Sequence, residues 1–251
     1  RQTRVHNTVT LNEQNSDCKP RLNRWAENVN HGSFNYDLVE AENQSYPTLS
    51  HTRTILFIDK KYIVLIDAID GVADTGDLRA HFQFANENEA ATQQVFNPAH
   101  SKVYPDLYQL ITTMPESGRR KGNLLVQAWQ QAGLSLENEM HGLGAEAKGA
   151  GFGVNKVNKP EFERRAIAYS LPRKKGKQYF VTALIPFKGD NTSEQSTPEC
   201  QLDFEPSNQQ VTLVVDQQRY QLRLPQGNAY AVDTDGDGTP NILDPDPYQL
   251  P

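Results

Sequence analysis

The sequence predicts an all-β protein, folded as an antiparallel β-sandwich. Three observations predict it. The dominant hydrophobic period is two, the periodic segments are rich in β-branched and aromatic residues, and Gly, Pro, Asn or Asp bounds nearly all of them. Segments of helical period are few, so sheets must pack on sheets to build a core.

The strands are read in chain order. VTL near residue 10 is the first. TRTILFID at 52–59 and KYIVLIDAI at 61–69 follow, joined through Asp59, Lys60 and Lys61 as a tight hairpin. LRAHFQF at 78–84, LYQLITT at 107–113 and NLLVQAW at 123–129 come next, then RRAIAYSL at 164–171 and QYFVTALIPF at 178–187. A second hairpin joins QQVTLVVD at 209–216 to RYQLRLP at 219–225 through Gln217 and Gln218. ENEAATQQVF at 87–96 has the pattern of one short helix. HGLGAEAKGAGFGVN at 141–155 is glycine-rich but lacks the strand–helix context of a phosphate loop, and reads as a loop. No internal repeat is present.

The chain has 251 residues, 37% of them hydrophobic, enough for a two-layer core. Its formal net charge of −6 argues against a nucleic-acid partner, which calls for a basic face. Local basic runs exist at Arg119, Arg120 and Lys121 and at Arg173, Lys174, Lys175 and Lys177; the plain reading of such runs is a solvated loop. No segment approaches the ~18 apolar residues of a membrane span. The chain opens without methionine inside an alternating segment, so an upstream part is expected to be missing. Cys18 and Cys200 show no metal-ligand spacing. They suit one long-range disulfide in a secreted protein or two free thiols in a cytosolic one, and the sequence leaves both open.

From residue 227 the alternation stops, which divides the chain into a sandwich over 1–226 and a tail over 227–251. In DTDGDGTPNILD, Asp233, Asp235 and Asp237 occupy positions 1, 3 and 5 of a twelve-residue loop. Gly238 is at position 6 and Asp244 at position 12. Calcium wants six or more oxygens, and alternate residues of a curling loop aim carboxylates at one centre. The Thr239 carbonyl supplies position 7, and Asn241 position 9 directly or through water. The segment resembles a single thrombospondin type 3-like calcium repeat. Such sites suit millimolar extracellular calcium, so the expected location is secreted, periplasmic or cell-surface.

A second resemblance covers roughly residues 1–190. Arg4, His6, Asn7 and Thr8 are followed by Phe34, Tyr36 and Glu40, then His51, Arg53 and Thr54, then Asp67, then His81 and Phe84. In this order they resemble the C-terminal sheet domain of the heparinase II/III-like polysaccharide lyases. The resemblance implies a supersandwich-like antiparallel β-sandwich. It also implies cleavage of uronic-acid polysaccharides such as heparan sulfate or alginate by β-elimination. A base removes the proton beside the uronate carboxylate and an acid protonates the leaving oxygen. In that family an N-terminal helical toroid supplies the tyrosine and the Asn or His for this work, and a HxHxD segment adds a further histidine. Neither segment occurs in this sequence, so the chain alone is expected to be inactive and to have the toroid as its missing partner. In members with a metal in the sheet domain, commonly zinc, the histidine matching His6 is a ligand. His6 is then one part of a site whose other ligands lie upstream, since zinc needs about four.

Arg4, Asn7, Arg53 and His81 are expected to be structural or substrate-proximal. His51 and His81 lie on strands, where a histidine is more often a hydrogen-bonded structural group. Asp67, read as ending an apolar strand, calls for an arginine partner, Arg53 being the candidate. His31, His100 and His141 have no assigned role. Trp25, Trp129 and Tyr104 are candidates for stacking on sugar rings, with Trp129 better placed in the core. No GxSxG elbow suggests a hydrolase. Two competing readings are a non-catalytic carbohydrate-binding or surface-display sandwich, and an adhesin module followed by further calcium repeats.

Replacing Asp235 and Asp237 together by alanine is expected to abolish calcium binding by the tail and leave the sandwich folded. Calorimetric titration with calcium checks this; an unchanged isotherm would refute the loop.

Overall fold

The structure is a computed structural model that describes residues 7–16, 20–83, 109–111, 122–142, 163–188 and 198–224. The described residues form strands and turns without helix, in three antiparallel sheets. The seven-stranded sheet has the order β2 (Pro20–Asn30), β3 (Asn35–Tyr46), β4 (Leu49–Ile58), β5 (Tyr62–Gly71), β11 (Gln178–Lys188), β8 (Gly122–Ala128), β7 (Gln109–Ile111). A four-stranded sheet runs β1 (Val9–Leu11), β6 (Asp77–Gln83), β10 (Glu163–Pro172), β9 (Ser135–Gly142). A three-stranded sheet runs β12 (Cys200–Glu205), β13 (Gln210–Val215), β14 (Gln218–Arg223).

The sandwich has three layers, where a two-layer core was the expectation. Along β5 the registered pairs put Val64 and Ile66 on one face and Leu65, Asp67 and Ile69 on the other. The first face joins Leu56, Val181 and Ala183 in a core with Leu202, Leu213 and Tyr220 of the three-stranded sheet. The second joins Phe180 and Val126 in a core with Val9, Leu78, Ile167 and Tyr169 of the four-stranded sheet. A strand covered on both faces reads as a continuous apolar run, which is why IVLIDAI shows so little alternation. Covered on one face, β12 and β13 alternate cleanly, with burial every second residue.

Four strands were not anticipated: β2, β3, β9 and β12. β2 is the edge of the central sheet. Its register shifts after Leu22 and after Ala26, with Asn28 at φ 50°, so its polar-rich sequence carries bulges in place of a period of two. The first hairpin turns at Asp59 and Lys60, both at positive φ, as read. The second turns one residue earlier than expected. Val215 pairs Gln218, so Asp216 and Gln217 are the two turn residues, and both have positive φ, as a type I′ turn requires. The helix expected over 87–96 lies outside the described residues. So does the glycine-rich segment beyond Gly142, while His141 falls in β9.

Of the connections whose residues are all described, three pass between the outer four-stranded sheet and the central sheet: 72–76, 129–134 and 173–177. Arg173 binds the first to the third. It was read as part of a solvated basic run, but it is 3% exposed. Its Nε donates to the Ala73 carbonyl at 2.9 Å, Nη2 to the Gly71 carbonyl at 3.0 Å, and Nη1 to the Gly176 carbonyl at 2.8 Å and Gln178 Oε1 at 2.9 Å. A guanidinium with several fixed donors suits such a cluster of carbonyls. Gly71 turns here at φ 145°, and a Cβ on it would stand 2.1 Å from the Thr48 carbonyl oxygen.

Gly71→Ala is therefore expected to destabilise the domain by roughly 2–4 kcal/mol, combining a glycine-only backbone conformation with a backbone clash. Chemical denaturation of the variant and the parent measures this directly; a loss below about 0.5 kcal/mol would contradict the geometry.

Candidate functional site

Five of the residues that carry the family resemblance fall in two polar clusters, His51, Arg53 and Asp67 on one face of the central sheet and Glu40 and Thr54 on the other. Register explains the separation. Ala41, Arg53, Asp67 and Phe180 stand in one cross-strand row, and Glu40, Thr54, Ile66 and Val181 in the next. Adjacent rows point to opposite faces.

The first cluster centres on Asp67, which lies inside β5 and does not end it. The carboxylate is 1% exposed. Arg53 Nε donates to Oδ1 at 2.6 Å and Nη2 to Oδ2 at 3.0 Å, a two-point grip on a planar anion. His51 Nε2 lies 2.5 Å from Oδ1. A carboxylate only accepts, so this ring nitrogen carries the proton. Arg53 Nη1 also donates to the Asn7 carbonyl at 2.5 Å, which ties the start of the outer sheet to the central one. Burial alone would favour the neutral acid, but the Arg53 charge and the His51 hydrogen bond outweigh it and hold the Asp67 carboxyl well below the usual carboxylate range. The pairing with Arg53 is the one the sequence suggested; the His51 hydrogen bond to the same oxygen is the addition.

The second cluster centres on Glu40, 9% exposed. Arg24 Nε donates to its Oε1 at 3.0 Å, Arg24 Nη2 pairs with Oε2, and Thr54 Oγ1 donates to Oε2 at 3.0 Å. Arg24 was not singled out from the sequence. Its signal is positional: Arg24 faces Glu40 across β2 and β3, and Glu40 faces Thr54 across β3 and β4.

His81 is fully buried, with Nε2 2.8 Å from Thr10 Oγ1. That geometry suits the structural role read for it. Asn7 Oδ1 accepts from the Gln83 amide at 2.6 Å. Trp129 packs edge-on against Phe204 beside the first core, as the sequence suggested. Trp25 is 49% exposed on the edge strand, with Nε1 donating to Glu27 Oε1 at 2.9 Å. His31 docks the β2–β3 loop on β14 through the Gln221 carbonyl at 3.0 Å. Cys200 is a buried free thiol, pushed up to about 12 by burial and the nearby Asp216 charge, so it stays protonated at neutral pH.

Arg4, His6, Cys18, Phe84, His100, Tyr104, Arg119, Arg120, Lys121 and the calcium-loop residues Asp233, Asp235, Asp237, Thr239, Asn241 and Asp244 lie outside the described residues. Among the described residues, no three His, Cys, Asp or Glu side chains are placed to hold a metal ion. The closest pairing, His51 with Asp67, is filled by the Arg53 guanidinium and does not fit a second cation. No described helix is long and apolar enough to cross a membrane.

A layered antiparallel β-sandwich pinned by buried Arg–carboxylate pairs on both faces of its central sheet defines the class of domain. Residues 1–148 match the family described as heparinase II/III-like, C-terminal, and the chain belongs to that family. It is 34% identical over 228 residues to a heparin-sulfate lyase of Pedobacter heparinus, covering 90% of this chain and 30% of that protein. It is 36% identical over 98 residues to a heparin-sulfate lyase of Bacteroides stercoris, covering 37% of this chain and 14% of that one. The crystal structure of heparan sulfate lyase from Pedobacter heparinus superposes with a TM-score of 0.66 at 29% identity, over 90% of this chain and 31% of that chain. A heparinase III structure superposes at 0.63 with 21% identity, over 89% of this chain and 31% of that one, a likeness of fold. The chain thus spans less than a third of the length of these relatives.

Asp67→Asn is expected to cost about 2–4 kcal/mol, because it leaves the Arg53 charge in the core without its counter-ion. The folded-state pKa of Asp67 is depressed, so its contribution is fully present above the unfolded value of about 3.9 and is lost as pH falls below it. In unfolding free energies measured from pH 7 down to pH 3, the gap between parent and variant should therefore stay constant to about pH 5 and narrow below about pH 4 without closing, since the loss is complete only below the depressed folded-state value. Parallel curves would refute the assignment.

Proposed function

We propose that this chain is the C-terminal sheet domain of a longer polysaccharide lyase. That enzyme cleaves uronic-acid-containing polysaccharides of the heparan sulfate class by β-elimination. The observation that carries the reading is the 34% identity over 90% of the chain to a heparin-sulfate lyase of which the match covers 30%. The reaction needs a base for the proton beside the uronate carboxylate, an acid for the leaving oxygen, and donors that neutralise the carboxylate. The described carboxylates and arginines of the two clusters are already bonded to one another. The base and acid are assigned to the upstream part of the longer protein, as the family resemblance implies.

In this reading the sheet domain is a scaffold that docks the catalytic part and presents a rigid surface to it. Two metals belong to the proposal. Calcium would be held by Asp233, Asp235, Asp237, Thr239, Asn241 and Asp244 of the tail. Zinc in the complete protein would take His6 among its ligands, and its chemistry there would be structural cross-linking. A secreted, periplasmic or cell-surface location accompanies the calcium loop.

The test compares the 251-residue chain with its longer natural protein on heparan sulfate and alginate, following the ultraviolet absorbance of the unsaturated uronate product. The longer protein is expected to turn over at least one of them and the chain alone neither. Robust turnover by the chain alone, or none by the longer protein on any uronate polysaccharide, would overturn the reading.

A further inference from the structure

The connection at 173–177, with sequence RKKGK, carries more than the clamp formed by Arg173. Lys174, Lys175 and Lys177 are all exposed, and no ion pair to another described residue holds any of them. The backbone beneath them is fixed from several sides. Arg173 anchors it to Gly71, Ala73 and Gly176, and the Arg173 amide donates to the Gly76 carbonyl at 2.8 Å. Gln178 closes the turn. Its Oε1 accepts from the Lys174 amide at 2.7 Å, and its Nε2 donates to the Pro172 carbonyl at 3.0 Å. Gly176, at φ 89°, supplies the reversal between Lys175 and Lys177.

The acidic groups around this turn are accounted for. Asp77 pairs with Arg79 at 2.9 Å. Asp70 accepts from the Gly71 amide at 2.8 Å, and its charge acts on the buried Arg173. Asp74, next to the Ala73 that Arg173 binds, is one carboxylate against three lysines. A chain of net charge −6 thus holds a local excess of positive charge on a turn whose backbone is built not to move. A fixed turn adds no backbone ordering cost when its three ammonium groups meet a linear polyanion, and the polyanion's condensed counterions are released to solvent.

We propose that the turn formed by Lys174, Lys175, Gly176 and Lys177 is a binding site for an acidic polysaccharide, engaged through its sulfate or carboxylate groups. The site rests on the geometry of the turn. The choice of polysaccharide over other polyanions rests on the lyase reading.

The test measures binding of a size-defined heparin oligosaccharide to the full chain across a salt series. K174Q/K175Q/K177Q is compared with K60Q/R219Q/R223Q, which removes the same charge elsewhere. Arg173 is left intact because it holds the fold, and thermal unfolding confirms that both variants are folded. The lysine variant is expected to bind roughly tenfold or more weakly, with a shallower salt dependence, and the other variant within about twofold of the parent. The proposal is overturned if the parent does not bind, if both variants weaken equally, or if the lysine variant is unchanged. It is also overturned if single-stranded DNA of matched charge binds as tightly. Failure of the longer protein to cleave, with this binding retained, would count against the lyase reading and leave the site standing.

Discussion

Placing Asp67 at 1% exposure between two sheets carries a desolvation penalty that only fixed counter-charge and hydrogen bonds offset. Arg53 and His51 provide both, and each comes from β4, the strand next to β5. The requirement therefore fixes the β4–β5 register, because a slip of one residue would turn Arg53 to the opposite face. It also fixes the outer sheet, since the remaining Arg53 amine reaches the Asn7 carbonyl. From there Asn7 binds the Gln83 amide, and His81 of the same strand bonds Thr10. One buried charge thus specifies strand register and layer docking together, a role in which geometry matters more than net stabilisation.

A second buried centre, at the Gly71 end of β5, is organised by a cation. Arg173 lies almost wholly buried with carbonyl and amide oxygens for partners and no carboxylate in contact. Burial lowers its pKa from the usual arginine value, and Asp70 nearby works against that shift. The cluster exists because chain connections between sheets leave carbonyls without ladder partners, and buried carbonyls need donors. At this end of the central sheet the β5–β6 and β10–β11 connections converge on one guanidinium. The same bonds that satisfy those carbonyls immobilise the lysines that follow Arg173.

Much of this was legible in the sequence, and the parts that were not share a cause. Ten of the strands show either alternation or a compact β-branched run, and the structure has them. β2 hides its period behind two bulges, and β3 carries Asn43, Gln44 and Ser45 where its pairing becomes irregular. The Arg53–Asp67 pair was readable because a carboxylate inside IVLIDAI demands a cation. Arg24 and Glu40 were not readable as a pair, because both look like ordinary charged residues on a polar strand, and only register sets them opposite each other. Arg173 was misread for a related reason. Sequence shows a run of four cations in five residues and does not show that the first turns inward while the lysines turn out.

Five of the motif residues behind the family resemblance are therefore of one kind. Glu40, His51, Arg53, Thr54 and Asp67 are each engaged within the domain, in bonds that set register and layer packing. Their roles account for a fold more directly than for a reaction, since a group spent on a buried pair is not free to meet a substrate. The same reasoning explains how a sheet domain can keep a recognisable motif order at modest overall identity: the constraint is electrostatic and internal. What the domain offers to a ligand must come from groups the fold leaves unpaired, and among the described residues the lysines of the 173–177 turn are the clearest set.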